Sequence, residues 1–380
     1  MTRRRFARLR TARPDGAVRL LDRGERPIDG AARPLDRGVR LLDGAVRPPD
    51  HGVRPIDRAS RLLDRAARPF DRGVRWMTAS AHATYGVALM RIVLGLGIAG
   101  YVAVNLPARH ALWGAGARWT TPLGGHALTS GPLLTAACVA LLLVAALVTV
   151  GWRARWTVPL LLLGWSGLTA VNPLIADQGL NIARILLVYL CFADTSARWS
   201  LDARRGRGPG RAASSTLRPE PELGVASGAR GASVTRAQVR NLLHNAAVLA
   251  VGAQVSLVYV LSGLFKLQGA EWLDGSAVYY PLSLPQFRPW PPLADLIAGN
   301  DWLVAALTWG TLALQLTFPL LLLQRHLRVA AVGGALLMHA GIAVAMGLPF
   351  FSLFMIAGDC VFLRPPRRRH GRAQQVLPGR

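Results

Sequence analysis

The chain has 380 residues, 52% of them hydrophobic, and a formal net charge of +25. The apolar residues form long uncharged runs, which favours an integral membrane protein over a pair of soluble domains. Much of the charge lies in an N-terminal tail, so no nucleic-acid partner is needed to explain it. The three cysteines lie inside apolar runs without the spacing of a disulfide framework or zinc site, and no metal site is predicted.

Residues 1–76 repeat with a period of seven, as in "RPLDRGV RLLDGAV RPPDHGV". Proline and glycine recur in most repeats and exclude a coiled coil, because each proline costs about 3 kcal/mol inside a helix. We interpret the segment as a disordered, low-complexity tail. A mis-assigned start is the open alternative, because the sequence from Met77 leads directly into the first apolar run.

Runs of roughly 20 apolar residues predict an all-α, polytopic membrane helix bundle with about eight transmembrane helices. The candidate spans cover residues 84–106, 131–151, 157–175, 180–195, 243–265, 302–324, 329–347 and 349–363. They form a transmembrane domain over residues 77–365, followed by a basic tail over 366–380. Its halves, 84–195 and 240–363, are joined by a flexible inner linker over 204–231.

Arginine in the connections predicts the orientation. With the N-terminus inside, the inner segments after the first span hold 19 arginines and the outer segments hold three, Arg109, Arg118 and Arg288. This asymmetry predicts a multi-pass protein of the cell membrane, embedded in the lipid bilayer, with both termini cytoplasmic.

Ionisable residues inside apolar spans require a partner or a purpose, because a charge in hydrocarbon costs at least about 2.5 kcal/mol. Arg91 and Asp359 lie at similar depths from the inner ends of the first and last spans. The sequence therefore predicts a structural ion pair between them. His244, Asn245 and Gln254 form a weaker polar file along the fifth span.

The outer half of the bundle holds a second group of ionisable residues, which we predict to share one polar pocket. Its central member is Lys266, the only lysine in the chain, at the end of the fifth span. A lysine there is explained either by snorkelling to the interface or by proton transfer, which arginine cannot perform. The predicted supporting residues are His339, Arg184, Asp177, Asp274 and Trp272. For His339 alone, an interhelical hydrogen bond is the simpler interpretation.

Three segments, in the same order, resemble the membrane part of the vitamin K-dependent γ-carboxylase. The stretch "VYVLSGLFKLQGAEWLDGSAVYY" has its tyrosine, glycine, lysine, tryptophan and second glycine; "FADTSARWSLD" is similar to its inner-end segment; and "MHAGIAVAMGLPFFSLFMIA" resembles its late histidine region. Together they point to the horizontally transferred transmembrane (HTTM) domain family, over about residues 80–365. The residues that carry the first two matches are Tyr259, Ser262, Gly263, Lys266, Trp272, Gly275, Phe192, Asp194, Trp199, Ser200 and Asp202.

The resemblance implies that Lys266 is a base, because the matching lysine of the carboxylase is assigned to deprotonate vitamin K hydroquinone. A reduced quinone is thus a cofactor by resemblance only. The carboxylase also has a large luminal domain. In addition it has an Asn-Asn-His group, where this chain has Asp177, Gln178 and Gly179. These departures argue against carboxylation of a protein glutamate.

The favoured function is a membrane enzyme that uses Lys266 as a proton-transfer base on a hydrophobic substrate, either quinone-like or a lipid. The alternative is a non-enzymatic membrane protein, namely a transporter or an accessory factor for a secreted peptide. A transporter requires polar residues that continue to the inner face, as Asn245 and His244 do weakly.

Overall fold

The structure is a computed structural model that describes residues 68–120, 131–205 and 226–363. Within these ranges it contains helices and no strand, which confirms the all-α prediction. Residues 68–79, which include the last nine of the predicted disordered tail, are helical. The rest of that tail and the basic segment after residue 363 lie outside the described residues.

Eight main helices correspond to the eight predicted spans. They are α1 (Thr84–Asn105), α2 (Gly131–Val150), α3 (Ala154–Val171), α4 (Gln178–Phe192), α5 (Ala226–Lys266), α6 (Asp301–Leu323), α7 (Arg325–Ala345) and α8 (Pro349–Asp359). The predicted linker is shorter than expected, because α5 already begins at Ala226 and a short helix, Leu201–Arg205, precedes it. Between them, residues 206–225 lie outside the described residues.

Five of these helices are long and apolar enough to cross a membrane: α1, α2, α6, α7 and the Val234–Lys266 part of α5. Among the described residues, α4 and the apolar helical stretch Pro349–Phe362 are shorter than a full span, and α3 does not reach the hydropathy of one. The bundle of membrane helices is thus confirmed, whereas the count of eight spans is not.

The ends of several helices follow from capping side chains in the sequence. The Asp177 carboxylate accepts a hydrogen bond from the Leu180 amide at 2.7 Å, at the start of α4. Asn300 caps α6 in the same way through the Leu303 amide. Pro349 is the first residue of α8, where its missing N–H leaves no bond unmade. These local signals place the starts of the helices within a few residues of the predicted spans.

The short helix α8 lies at the centre of the bundle. It packs against α1, α4, α5 and α7, while α1 pairs with α2 and α5 pairs with α6. Phe354, Ala357 and Asp359 of α8 are 0% exposed, as expected for a helix surrounded on most sides. Helix α8 therefore joins the N-terminal helices to the C-terminal ones.

Arg91 has different partners from those that the sequence predicted. Its guanidinium group donates to the carbonyls of Val148, Thr149 and Trp199, and the side chain is 0% exposed. The first two carbonyls belong to the last turn of α2, where they have no partner within the helix. Gly151, at φ 67°, turns the chain there and leaves room for the guanidinium group.

The predicted ion pair between Arg91 and Asp359 is therefore wrong. Within the described ranges neither residue forms a salt bridge, and Asp359 is instead hydrogen-bonded to Tyr259. The physical reason is that the C-terminal end of α2, with its partial negative charge, and the carbonyl of Trp199 accept from both terminal nitrogens of Arg91, while its Nε has no partner among the described residues. Similar depth along two helices did not place the two side chains on facing sides.

Asn245 and His244 of α5 bind the chain that leads into α1. The Asn245 amide donates to the carbonyls of Met77 and Ser80 at 2.8 Å and accepts from the His82 amide at 2.9 Å. His244 lies 2.6 Å from the His82 carbonyl through Nε2, and its Nδ1 accepts from the Asp194 amide. These bonds fasten the start of α1 to α5.

Asp202 caps helix α3 from outside that helix. Its carboxylate accepts from the Arg153 and Ala154 amides at 2.9 and 3.0 Å and from the Ser196 hydroxyl at 3.1 Å. Partial burial raises the pKa of Asp202, but these hydrogen bonds together lower it further, so the pKa lies below its ordinary value. The segment "FADTSARWSLD" thus holds helices in place in two ways: its Asp202 caps α3, and the carbonyl of its Trp199 accepts from Arg91 of α1.

Candidate functional site

Lys266 is the last residue of α5, and its side chain is half-buried. Its Nζ lies 5.1 Å from the centroid of the Trp272 ring, in a cation–π contact. In the described part of the chain, no carboxylate forms an ion pair with this amine. The amine is thus positioned by an aromatic ring rather than by an ion pair with the described residues.

The loop after Lys266 is held against α6 by Trp309. The Trp309 Nε1–H donates to the Leu273 carbonyl at 3.3 Å. The same indole ring lies against Gly275, where any Cβ would be about 3 Å from the ring atoms, and Gly275 has φ 90°. Glycine is required there for both reasons. This contact fixes the loop that presents the Trp272 ring to Lys266.

Asp274 lies in this loop but bonds locally. Its Oδ1 accepts from the Ser276 amide at 2.8 Å and from the Ser276 hydroxyl at 2.7 Å. These hydrogen bonds hold the pKa of Asp274 below its ordinary value, so the carboxylate stays ionised and directed at Ser276. Asp274 is near Lys266 in sequence without being its ion-pair partner.

Asp177 and Arg184 line a separate cavity of about 300 Å³ at the start of α4. Arg184 donates to the Asn181 side chain at 2.7 Å, and Asp177 is engaged as the cap of α4. Across the ranges that the structure describes, no hydrogen bond or ion pair joins this cavity to Lys266. The structure therefore places these two residues together, apart from the lysine.

His339 lies in the interior, in a hydrogen-bonded group that joins three helices. The Tyr259 hydroxyl of α5 lies 3.0 Å from Nε2 of His339 in α7 and donates to Oδ2 of Asp359 in α8 at 2.8 Å. We call Tyr259, His339 and Asp359 the buried triad. Their exposed fractions are 1%, 2% and 0%. Since Tyr259 donates to the carboxylate, its oxygen accepts from the Nε2–H of His339.

The buried triad retains unused hydrogen-bonding capacity. His339 Nδ1 and Asp359 Oδ1 are buried without a partner among the described residues. The triad also lies further from the end of α5 than the lysine does, because Tyr259 precedes Lys266 by seven residues on that helix. That spacing puts them on the same face, about 10 Å apart along the axis. Ionisable groups at such depth are costly and mark functional positions in membrane proteins.

The central role of Tyr259 was missed by the sequence analysis. Tyr259 entered only through the resemblance, and Asp359 was assigned to Arg91. A signal was present in the seven-residue spacing between Tyr259 and Lys266, which places a hydroxyl and an amine on one helical face. The partner of that hydroxyl on α8 was not deducible from spacing, because it depends on how two helices are rotated.

Comparison with known proteins matches residues 232–366 to the HTTM domain. The uncharacterized protein YitO of Bacillus subtilis (strain 168) is 33% identical over 119 residues, which cover 30% of this chain and 37% of that relative. The matched part is thus little more than a third of that relative's length. No solved structure matches this chain.

The HTTM match includes Lys266, Trp272 and the whole buried triad, whereas Asp177 and Arg184 lie before it. Its boundaries enclose most of α5 and all of α6, α7 and α8. The resemblance drawn from the sequence is thereby confirmed over residues 232–366, where this membrane protein matches the HTTM domain, the domain of the membrane part of the vitamin K-dependent carboxylase.

Proposed function

We propose that this protein is a membrane-embedded enzyme in which Lys266 accepts a proton from a hydrophobic substrate that is quinone-like or a lipid. The observation that carries the proposal is the environment of the single lysine. Its amine is half-buried over Trp272 and has no ion-pair partner in the described ranges. Elsewhere the chain uses arginine for positive charge.

The chemistry of the amine supports a base rather than an anchor. A guanidinium group keeps its proton in proteins, so an arginine at this position has no lone pair to offer. A lysine amine without a bound carboxylate releases its proton at a smaller cost than an ion-paired one. A hydroxyl of the substrate, placed within hydrogen-bond reach of Nζ, then transfers its proton to the neutral amine.

The surroundings of Lys266 suit a hydrophobic substrate. Leu264 and Phe265 on the same turn of α5 are 47% and 69% exposed, and Leu267 follows at 37%. Such apolar side chains at the end of a membrane helix favour a ligand that arrives through the lipid. The reduced quinone that the resemblance implies belongs to this chemical class.

A reaction-independent experiment tests the state of the amine. Apart from the α-amino group, Lys266 is the only amine in the chain, so a small hydrophobic acylating reagent reports on it directly. The variant Arg325→Lys adds an exposed lysine in a separate peptide and provides an internal standard. We expect Lys266 to be acylated near neutral pH, and the introduced lysine to react only at alkaline pH.

Substitution tests whether the proton matters. In a host that lacks its own copy of the gene, Lys266→Arg should fail to restore function as completely as Lys266→Ala, although both should insert at wild-type levels. The enzymatic proposal fails if Lys266 requires the same alkaline pH as the introduced lysine and Lys266→Arg restores function. In that case the amine is an interfacial anchor.

A further inference from the structure

A second candidate site lies at the opposite end of α5 from Lys266. A groove of about 930 Å³ opens where the start of α3, the end of α4 and the N-terminal part of α5 meet. None of its lining residues belongs to the proposed site around Lys266 or to the buried triad. The groove therefore requires an explanation of its own.

The polar part of the groove is strongly basic. Arg155 of α3 and Arg236 and Arg240 of α5 line it, against a single carboxylate, that of Asp194. Arg236 and Arg240 are four residues apart and share one face of α5. None of these three guanidinium groups forms a hydrogen bond or an ion pair with a described residue. The guanidinium carbon of Arg155 lies 5.8 Å from the centroid of the Trp156 ring.

The rest of the groove is apolar. Its charged and apolar surfaces follow one another along the helices that line it. On α5 the arginines precede Leu243, and on α3 Arg155 precedes Pro159. Both helices thus run from charge at the end of the bundle to apolar side chains further along. Phe192, 54% exposed at the end of α4, also lines the apolar part. This order matches an amphiphile with an anionic head.

We propose that the groove binds the phosphodiester headgroup of an anionic phospholipid, with the acyl chains against its apolar wall. Guanidinium groups bind phosphate oxygens through paired, charge-assisted hydrogen bonds, and three of them here lack a partner among the described residues. Basic pockets between membrane helices are suited to such headgroups. The inference is independent of the role of Lys266, because the groove shares no residue with that site.

The occupant is a lipid rather than a free phosphate because of the apolar wall. A soluble anion gains nothing from Leu243 or Phe192, whereas an acyl chain is stabilised by each methylene group that it buries there. The groove also opens at the end of membrane helices, where headgroups are concentrated.

The test measures lipid binding to the purified, delipidated full-length protein. Phosphatidylglycerol and phosphatidylcholine are titrated separately, and bound lipid is counted by native mass spectrometry. The groove variant combines Arg155→Gln, Arg236→Gln and Arg240→Gln. The control variant combines Arg204→Gln, Arg205→Gln and Arg325→Gln, which removes equal charge from exposed positions outside the groove.

We expect wild type and control to bind phosphatidylglycerol in preference to phosphatidylcholine, and the groove variant to bind it about tenfold or more weakly. If the groove variant does not fold, Arg240→Gln alone should weaken binding about fivefold.

Four results would overturn the inference. The first is an equal loss in the control variant, and the second is equal binding of the two lipids. The third is unchanged binding in the groove variant or in Arg240→Gln. The fourth is displacement of the lipid by glycerol phosphate at equal concentration, which would indicate a free-phosphate site.

Discussion

The two ends of the helix bundle use their polar side chains differently. At the end where α1 begins, Arg91 reaches carbonyls 57, 58 and 108 residues away, and Asn245 bonds to a segment more than 160 residues away. At the end where α5 stops, the side chains of Asp274 and Arg184 form hydrogen bonds, among the described residues, to partners within three positions of their own. Lys266 contacts a ring six residues further along.

This difference separates framework from candidate site. Long-range hydrogen bonds fix helices against one another, and removing one leaves buried groups of several segments without partners. Local hydrogen bonds shape a loop without tying helices together. The polar groups beside Lys266 can therefore meet a ligand without disturbing the packing, whereas Arg91 and Asn245 at the other end are committed to structure.

The largest effect is expected at Arg91. Replacement by leucine removes the donor of the Thr149 and Trp199 carbonyls, and the Val148 carbonyl keeps only the Gly151 amide. We expect Arg91→Leu to lower the free energy of unfolding by about 2–4 kcal/mol. Reversible denaturation in mixed micelles measures this loss.

A double-mutant cycle sharpens the same point. Because Arg91 and Asp359 share no partner, the effects of Arg91→Leu and Asp359→Asn should add to within about 0.5 kcal/mol. A coupling well above that value would reinstate the ion pair and contradict the observed contacts.

The buried triad should show the next largest effect. Tyr259→Phe keeps the ring but removes the hydroxyl that joins His339 to Asp359, leaving both without a partner. We expect a loss of about 1–3 kcal/mol of unfolding free energy. Tyr189→Phe is the matched control, because no hydrogen bond of its hydroxyl to a described residue is found. Equal effects of the two substitutions would mean that the triad adds no stability.

The stability of the fold should depend on pH through Asp202, which lies at the end of the bundle where α1 begins. Its pKa lies below the ordinary value in the folded state, so its contribution to stability is present above about pH 4 and is lost as pH falls through the folded-state pKa. Asp202→Asn should therefore be less stable than wild type at pH 7, and the difference should shrink below pH 4. Thermal unfolding between pH 3 and pH 7 gives the comparison, and a constant difference would contradict it.

The smallest effect on stability is expected at Lys266. Lys266→Met keeps an apolar stem and removes only the cation–π contact with Trp272, which is worth about 0.5–1 kcal/mol at an accessible site. The same denaturation experiment measures it, with Trp272→Leu as the partner substitution. A loss as large as that of Arg91→Leu would place Lys266 in the framework.

Much of the fold could be predicted because its signals are local. Helix α1 begins at the start of the predicted span 84–106, and α6 lies within one residue of 302–324. Even the cap at Asp177 is a local feature, formed with an amide three residues ahead. An apolar run of sufficient length becomes a helix whatever its neighbours do, since a membrane helix satisfies its backbone internally. The short α4 and α8 left the number of spans open.

The sequence by itself determined the helices, their membrane character and the singular position of Lys266. Only the tertiary structure decided the polar partners. It assigned Arg91 to the end of α2, Asp359 to Tyr259, and Asp177 and Arg184 to a cavity separate from the lysine. The reason is that hydrogen bonds within a helix depend on neighbours four residues away. A contact between helices depends on their relative rotation and translation, which the packing of all faces sets together.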